Sequence, residues 1–447
     1  MMFFRKIPLT LKNKSDWIGP KKTFSYSVYI FISYLTTWFN QRIIIFIHLD
    51  RGDLVSFQHQ VEQLHTLFDE IVANRRYMHM HPELSFEEEK TSIFIANTLK
   101  EYGIPFRERV GKNGIVANIE GALPGKTLAF RADFDALPIN DEKEVPYKST
   151  VPGVMHACGH DGHTAALLAF AKIVQQNKDQ LRGSIRLIFQ PAEEKPPGGA
   201  KFMIEDGALD GVDYVFGAHL ASDLPLGKLS TAAGPIMASV DAFTIKLFGK
   251  GGHGAYPHTT KDSIIAATQL IQNFQQIVSR RVNPTEAAVV TVGSLHAGNA
   301  FNVIADTATL EGTVRTLNQN VRDQIEKEIF AILDGLKVSN YVDYEIDYLK
   351  GYPVLINTEE ESVIVEQLIK EQFTVEAFEI KTAVLGAEDF AYYLQHVPGN
   401  FIHVGSANEH ANTQFPHHHP KFDFDERALL NIATIFLKII EYYGKVE

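Results

Sequence analysis

Four apolar runs that alternate with helical patterns constrain the fold of this 447-residue chain more than any other feature. The runs are rich in β-branched and aromatic residues, and each ends beside polar or charged side chains. They cover residues 114–120, 127–134, 184–191 and 214–220. A helical pattern from Thr164 to Gln176 lies between two of them. Strands that alternate with helices predict an α/β protein with a doubly wound sheet.

Residues 239–351 interrupt this alternation with a different pattern. Their predicted strands and helices follow the order β-α-β-β-α-β, which is that of a ferredoxin-like α+β module. Afterwards the α/β alternation resumes and ends in an apolar helix from Glu426 to Tyr443. We therefore expect a discontinuous catalytic domain with a mixed sheet, formed by residues 60–238 and 352–447, into which the ferredoxin-like module is inserted.

Residues 1–57 differ from the rest and form a predicted N-terminal appendage outside the folded protein. A basic opening precedes an aromatic, apolar run from Phe24 to Phe39, which is short for a membrane span of about 20 residues. Extending the run to Ile47 places Arg42 in the hydrocarbon, at a cost of roughly 2.5–3.5 kcal/mol. A membrane anchor is therefore the less favoured alternative.

Charge and cysteine content exclude several functions. The chain has 42 Lys and Arg against 54 Asp and Glu, a formal charge of -12, which repels the phosphates of nucleic acids. The single cysteine, Cys158, cannot form a disulfide within the chain, so nothing requires an oxidising compartment. We expect a cytoplasmic protein that binds small molecules and has neither nucleic-acid nor membrane partners.

A dense group of potential metal ligands lies between Met155 and His163, just before the predicted helix. Further candidates follow other predicted strands, namely Glu193, Glu194, His219 and the histidines at 417–419. Each group alone has an ordinary explanation, such as a buried cysteine, an exposed acidic pair or a core histidine. However, the strand ends of an open α/β sheet are where such proteins assemble their sites. The shared position therefore predicts one site.

The chemistry of these groups favours metal-assisted hydrolysis. Imidazole, carboxylate and thiolate suit Zn²⁺, or Mn²⁺, Co²⁺ or Ni²⁺, and five or six donors are enough for two ions. Such ions lower the pKa of bound water from 15.7 to about 7 and polarise a carbonyl. One residue of the Glu193-Glu194 pair can bind metal while the other remains a base. The alternative is a nucleophilic Cys158 with His160 or His163 as its base.

A glycine-rich turn in the inserted module carries His253. Its glycines permit positive φ angles and let the turn project a side chain outward. Asn302 and Arg315 lie around a strand of the same module, and with His253 they could bind an anionic oxygen or carboxylate of a substrate. The alternative is a β-turn with a surface histidine, beside residues that only cap or solvate the strand.

Several long motifs occur in an order typical of a known family. They are HMHPELSF at 79–86, RADFDALP at 131–138, the Cys158 segment, the Glu193-Glu194 pair, the Gly-Gly-His turn at 253 and AFNVI at 300–304. From about Val61 to Tyr443 the chain resembles the amidohydrolase branch of the co-catalytic metallopeptidase superfamily. That branch contains aminoacylase-like enzymes, hippurate hydrolases and plant indole-acetyl-amino-acid hydrolases.

This resemblance implies roles for individual residues. The implied ligands of two divalent ions are Cys158, His160, Glu194, His219 and His418, where His418 is selected by its distance from Pro420 and His419 is the alternative. Glu193 is implied as the general acid/base that deprotonates a metal-held water and returns the proton to the leaving amine, with His253 stabilising the oxyanion. Asp133 and Asp135 receive no ligand role.

The implied activity is hydrolysis of the amide bond of N-acyl amino acids, with acetyl, benzoyl or similar acyl groups. A dipeptidase or carboxypeptidase is the alternative within the same class, and a non-catalytic metal- or peptide-binding relative is the alternative outside it. The resemblance also implies a homodimer in which residues 239–351 form a lid and dimerisation domain, with His253 reaching the active site of the other subunit.

Overall fold

A computed structural model describes residues 51–409, 413 and 415–445. The α-helices of these residues are α1 (Arg51–Thr66), α2 (Phe68–Met80), α3 (Glu89–Glu101), α4 (His160–Gln176), α5 (Gly199–Glu205), α6 (Ser263–Gln276), α7 (Gln319–Asn340), α8 (Glu359–Gln372), α9 (Ala391–Leu394) and α10 (Ala428–Tyr443). The strands are β1 (Phe106–Val110), β2 (Gly114–Glu120), β3 (Leu123–Asp133), β4 (Arg182–Gln190), β5 (Tyr214–Pro225), β6 (Leu229–Ser230), β7 (Gly234–Met237), β8 (Ser239–Phe248), β9 (Gly252–His253), β10 (Ala288–Ala297), β11 (Val303–Ile304), β12 (Thr307–Thr316), β13 (Asp343–Lys350), β14 (Leu355–Asn357) and β15 (Gly399–Ala407).

A seven-stranded mixed sheet in the order β1-β2-β4-β3-β5-β15-β6 forms the centre of the larger part. Strands β4, β3, β5 and β15 are parallel, whereas β1, β2 and β6 run antiparallel to their neighbours. Parallel strands place their carboxyl ends at one edge of the sheet. The expectation of a mixed α/β sheet is confirmed.

Alternate residues of the large sheet enter two separate cores, because successive side chains of a strand point to opposite faces. Ile115 and Ala117 of β2 pack in the core that contains α1, α2, α4 and α10, whereas Val116 packs in the core that contains α5 and α9. Helix α4 is buried around most of its circumference, as expected for a helix that is apolar on all sides. The sheet is thus covered on both faces.

The small module consists of β8, β10, β12 and β13 with helices α6 and α7. Its four strands form an antiparallel sheet in the order β10-β12-β8-β13. Both helices contribute apolar residues to a separate core, such as Leu270 and Ile329. Its elements follow one another as β-α-β-β-α-β. Whether the module acts as a lid or a dimer contact stays a prediction.

Two sequence-based boundaries differ from the structure. In the sequence, Pro82 and the acidic residues 87–89 predict a helix from Phe86 to Tyr102. In the structure α3 begins only at Glu89, because Phe86 has a φ of 69° and its N–H donates to the Glu88 carboxylate at 2.8 Å. Ordered structure also reaches into the predicted appendage, since α1 begins at Arg51 and Phe57 is buried in the core. The remainder of that appendage, including its apolar run, lies outside the described residues.

No helix among the described residues combines the length and apolar character that crossing a membrane requires.

Candidate metal centre

The candidate ligands lie at the carboxyl ends of the parallel strands. Backbone pairing between β3 and β5 ends at Arg131 and Gly217, so the two strands separate beyond this point. On the other side, β3 remains paired with β4 as far as Asp133 and Gln190. The sheet therefore opens between β3 and β5, which is the kind of crevice where open α/β sheets bind their ligands.

Cys158, His160 and His219 approach one another in this opening. Gly159 separates the first two and adopts a φ of 99°, a left-handed conformation that favours glycine. The Cys158 Sγ atom lies 3.4 Å from His219 Nε2, and the potential ligand atoms of all three residues lie within 4.8 Å of one another. His219 donates Nδ1–H to the Leu220 carbonyl at 2.6 Å, which leaves its Nε2 free to bind a metal.

A second group of donors contains Cys158, Glu194 and His418, whose potential ligand atoms also lie within 4.8 Å of one another. His418 Nε2 is 3.3 Å from Glu194 Oε1. The neighbouring His419 differs from His219, because its Nδ1 accepts the Lys421 N–H at 3.0 Å, so that Nε2 of the neutral ring carries the proton and not a lone pair. Its ring also stacks on Phe415. The two groups overlap at Cys158.

Two buried polar atoms test whether these residues fit a metal. Within the described part of the chain, His160 Nε2 and Glu194 Oε1 are both inaccessible to solvent and make no hydrogen bond. They lie 3.8 Å apart, and Oε1 is also 3.3 Å from Nε2 of the candidate ligand His418. Ligand atoms at 2.0–2.3 Å from a tetrahedral ion are separated by roughly 3.3–3.8 Å. Buried polar atoms without partners are rare in native proteins, so this donor set fits divalent cations.

The Asp135 side chain orients several of the candidate ligands through hydrogen bonds. Its carboxylate accepts the backbone N–H groups of Glu193 and Glu194, both at 3.0 Å, and the Ser85 hydroxyl at 2.7 Å. The His160 Nδ1 atom lies 3.0 Å from the Asp135 carbonyl oxygen and 3.2 Å from its carboxylate. A carboxylate behind a ligating histidine fixes its tautomer and orientation. Asp135 therefore aims His160 Nε2 at the site and also anchors the acidic pair.

His163 belongs to the same segment but is fully used by the protein. Its Nδ1–H donates to Asp133 at 2.6 Å and its Nε2 accepts the Leu220 N–H at 3.0 Å. With both ring nitrogens occupied, His163 has no lone pair for a metal. Burial raises the pKa of Asp133, but Arg131, His160 and His163 outweigh it and hold that pKa well below its ordinary value.

A buried arginine balances part of the acidic charge under the site. Arg131 contacts Asp133 at 2.6 Å, Glu388 at 3.0 Å and Asp389 at 2.9 Å. Gln190 links the same groups, since its Oε1 accepts from Arg131 Nε and its Nε2 donates to Asp389. One guanidinium thus faces three buried carboxylates, so cations are electrostatically favoured nearby.

Glu193 is not a member of the two groups that share Cys158, but its carboxylate lies within 4.8 Å of the potential ligand atoms of His160 and Glu194. Its Oε2 is 4.0 Å from His160 Nε2, and its carboxylate is close to those of Glu388 and Asp389. Burial, followed by the charges of Glu388 and Glu194, raises the pKa of Glu193 well above its ordinary value. Such an environment favours proton uptake, as a general base requires.

The environment of Cys158 disfavours the nucleophile alternative. Burial, followed by the charges of Glu194 and Glu193, raises the pKa of the thiol well above its ordinary value. A nucleophilic cysteine instead requires a positive environment that lowers its pKa. His163, one of the two bases considered for that mechanism, has both nitrogens bonded elsewhere.

His253, Asn302 and Arg315 do not reach these donors within one chain. His253 is exposed on β9, which pairs with β11 next to Asn302, and its Nδ1 accepts the Ala255 N–H at 3.1 Å. Arg315 donates to the Val314 carbonyl and to the Thr313 hydroxyl of its own strand. Among the residues described, no hydrogen bond or ion pair joins the three to the clustered donors.

Sequence reasoning gave no role to several residues that shape the site. Arg131, Asp135, Glu388 and Asp389 are buried and connected to it, as is Glu88, which accepts the Ala192 N–H at 2.9 Å. The available signal was a charged residue within an otherwise apolar strand, as at Arg131, or directly after one, as at Asp135. For Glu388 and Asp389, an acidic pair in a turn resembles an ordinary solvated loop.

Comparison with known proteins identifies one matching family model, described as Peptidase family M20/M25/M40, over residues 129–442. The chain is 52% identical to the YhaA protein of Bacillus subtilis (strain 168), over 84% of this chain and 94% of that protein. It is 43% identical to the N-acetyl-L-cysteine deacetylase of the same strain, over 84% and 88%. Identity is also 43% to thermostable carboxypeptidase 2 of Saccharolobus solfataricus, over 81% and 92%.

Among solved structures, the chain is similar to the YXEP protein of Bacillus subtilis, described as a dinuclear metal binding peptidase from the M20 family. The two share 34% sequence identity with a TM-score of 0.73, and the match covers 84% of this chain and 98% of that protein.

Proposed function

This chain belongs to Peptidase family M20/M25/M40, and from that premise we propose that it is a metal-dependent amidohydrolase of N-acyl amino acids. The observation that carries the proposal is the convergence of two overlapping donor groups beside Glu193, with His160 Nε2 and Glu194 Oε1 buried and without a hydrogen bond among the described residues. The similarity to a deacetylase of an N-acyl amino acid supports the substrate class.

We assign the binding of two divalent ions to Cys158, His160, Glu194, His219 and His418. The mixed thiolate, imidazole and carboxylate set suits Zn²⁺, or Mn²⁺, Co²⁺ or Ni²⁺. When bound, such ions would lower the pKa of water and polarise the carbonyl oxygen of the substrate. Two ions are supported by the overlap of the donor groups at Cys158 and by the similarity to a dinuclear protein.

The proton transfers are assigned to Glu193. Its carboxylate accepts a proton from the attacking water as the water oxygen bonds to the amide carbon. It then gives that proton to the amide nitrogen as the C–N bond breaks, which releases a carboxylic acid and a free amino acid. The Asp135 carboxylate accepts hydrogen bonds from the N–H groups of Glu193 and Glu194. These bonds fix the backbone that positions the two side chains for their separate roles.

The test is a panel of N-acetyl and N-benzoyl amino acids and free dipeptides, assayed on metal-reconstituted protein. Glu193→Gln should lower kcat by roughly 10²–10⁴ with metal content unchanged, whereas the matched control Glu194→Gln should lose metal. Normal turnover by the first variant would reject its role. Turnover of dipeptides alone would favour the peptidase alternative, which the similarity to a carboxypeptidase supports. Metal binding without any turnover would indicate a non-catalytic relative.

We further propose a homodimer in which residues 239–351 serve as lid and dimerisation domain and carry His253, Asn302 and Arg315 to the partner's site. The support is that His253 and Asn302 are exposed and share no hydrogen bond or ion pair with the described donors of their own chain, and that they lie beside the exposed apolar Tyr256, Phe301 and Val303. In a symmetric dimer, mixing Glu193→Gln with His253→Ala subunits should restore about a quarter of wild-type activity. No restoration would contradict transfer between subunits.

A cytoplasmic location is also proposed. Its support is Cys158, because a cysteine that binds metal must stay reduced, as it does in a reducing compartment.

A further inference from the structure

Two chain segments connect the large sheet with the small module, and they are bonded to each other. Strands β7 and β14, which lie at this boundary, pair antiparallel with Met237 opposite Leu355. The Val240 N–H donates to the Tyr352 carbonyl at 3.0 Å. The Gly351 N–H donates to the Asp241 carboxylate at 3.2 Å. We call this pair of segments, residues 237–241 and 351–355, the crossing. Any movement of the module relative to the large sheet must therefore displace the crossing.

The module side of the crossing is held by a buried ion pair. Arg322 of α7 contacts Asp241 and also donates to the Gly351 carbonyl at 2.8 Å. The Tyr348 hydroxyl of β13 donates to Asp241 at 2.9 Å. Both charged side chains are almost fully buried, and a buried pair of this kind resists separation. A displacement of α7 or β13 is thus passed to Gly351 and to its neighbour Tyr352.

Tyr352 extends from the crossing to the proposed general base. Its hydroxyl donates to the Glu193 carbonyl at 2.5 Å, and the residue is only 4% exposed. The ring lies directly against the backbone after the acidic pair, since a Cβ atom on Gly198 would be 2.9 Å from its Cε1. Burial, and then the carboxylates of Asp389 and Glu193, raises the pKa of Tyr352 well above its ordinary value, so the phenol remains a donor.

The backbone that carries Glu193 is constrained on its other sides. Ala192 has a φ of 54°, which is uncommon for a residue with a side chain. Its N–H is bonded to Glu88, and the N–H groups of Glu193 and Glu194 are bonded to Asp135. These bonds fix the amide side of the turn to Glu88, just before α3, and to Asp135, just beyond β3, whereas the Tyr352 bond fixes a carbonyl to the crossing. Strained backbone persists where its surroundings determine it and often marks functional sites.

We propose that Tyr352 is a positioning residue that couples the crossing to Glu193, so that the placement of the small module sets the placement of the general base. The proposal rests on the proposed function, in which Glu193 moves protons at the reacting atoms. Tyr352 touches neither substrate nor metal in this scheme. Its effect is exerted through the Glu193 carbonyl, so it should act on kcat rather than on substrate or metal binding.

The test compares Tyr352→Phe with Tyr392→Phe. The control removes a hydroxyl that donates to the Gly351 carbonyl at 3.2 Å, and its ring contacts that of Tyr352. Each variant lacks one hydroxyl of the same region, but only Tyr352→Phe lacks the hydrogen bond to the Glu193 carbonyl. We expect Tyr352→Phe to lower kcat about tenfold, with KM and metal content within twofold of wild type, and Tyr392→Phe to keep kcat within twofold.

Amide hydrogen exchange provides a readout independent of turnover. In metal-loaded protein, peptides that contain residues 192–194 should exchange faster in Tyr352→Phe than in wild type or Tyr392→Phe. A kcat within twofold of wild type, an equal loss in both variants, or unchanged exchange would each overturn the proposal. If the wild type hydrolyses no substrate of the panel, the proposed function fails, and the exchange comparison still decides whether Tyr352 holds the turn.

Discussion

Replacing Asp135 by Asn tests whether this carboxylate, rather than the ligands alone, organises the metal centre. Each Asp135 oxygen serves two groups, with Glu193 N and His160 Nδ1 on Oδ1, and Glu194 N and Ser85 Oγ on Oδ2. Asparagine keeps one acceptor oxygen and replaces the other with a donor. If the amide nitrogen takes the Oδ2 position, the Glu194 N–H and the Ser85 hydroxyl both lose their acceptor. If it takes the Oδ1 position, the Glu193 N–H loses its acceptor, whereas His160 Nδ1 keeps the Asp135 carbonyl oxygen at 3.0 Å.

The magnitude follows from the one or two hydrogen bonds that are lost. A hydrogen bond to a charged group contributes about 1.5–3 kcal/mol, so Asp135→Asn should lower the free energy of unfolding of the metal-free protein by roughly 1.5–6 kcal/mol. Changes behind a ligating histidine typically weaken metal binding by about 10- to 100-fold. We expect a loss of metal affinity in that range, because either orientation of the amide weakens the support of one proposed ligand, His160 on one side or Glu194 on the other. Urea unfolding and competition with a chromophoric chelator measure the two effects.

Asp141→Asn is a matched control. Asp141 is also buried and accepts the N–H groups of Lys143 and Ser149 at 3.0 Å, beside His79, but it touches none of the proposed ligands. This variant should lose stability while keeping its metal affinity within about threefold of wild type. Equal metal affinities for the two variants would refute the role given to Asp135.

Two further predictions concern Glu88 and the last proposed ligand. Burial, followed by Asp135, raises the pKa of Glu88 from 4.5 to about 7. Its contribution to the free energy of unfolding is then complete below pH 4.5 and is lost as the pH rises to 7. In urea titrations of chelator-treated protein, the free energy of unfolding of wild type should therefore fall by up to about 3 kcal/mol relative to that of Glu88→Gln as the pH rises from 4.5 to 7. A constant difference between the two proteins would contradict the raised pKa. His418→Ala should lower metal content whereas His419→Ala should not, and elemental analysis showing the reverse would transfer the ligand role to His419.

Much of the fold could be predicted because local patterns and tertiary packing agree. The run at 114–120 coincides with β2, since both of its faces are buried and its apolar residues have few alternatives. The charged strand β1 (Phe106–Val110) was missed, because its exposed residues carry no apolar alternation. The predicted start of α3 at Phe86 is three residues too early. The left-handed backbone conformation of Phe86 accompanies a hydrogen bond to the Glu88 side chain, and helix propensity does not report such a bond.

The candidate site was predictable to the extent that its residues follow strands. His219 and the Glu193-Glu194 pair were found in this way, and the structure brings them beside Cys158. Arg131 could not be given a role, because its partners Glu388 and Asp389 are more than 250 positions away in the chain. Pairing between buried charges is decided by tertiary geometry, which neither spacing nor composition encodes.

The bonds of His163 also determine how wide the centre can be. Backbone pairing of β3 with β5 stops at Arg131, and beyond it the imidazole spans from Asp133 to the Leu220 N–H. A side-chain ring thus serves as a rigid spacer where the ladder of backbone hydrogen bonds between β3 and β5 would otherwise continue. We expect a shorter side chain at position 163 to let β3 and β5 pair further along their length and close the opening between them.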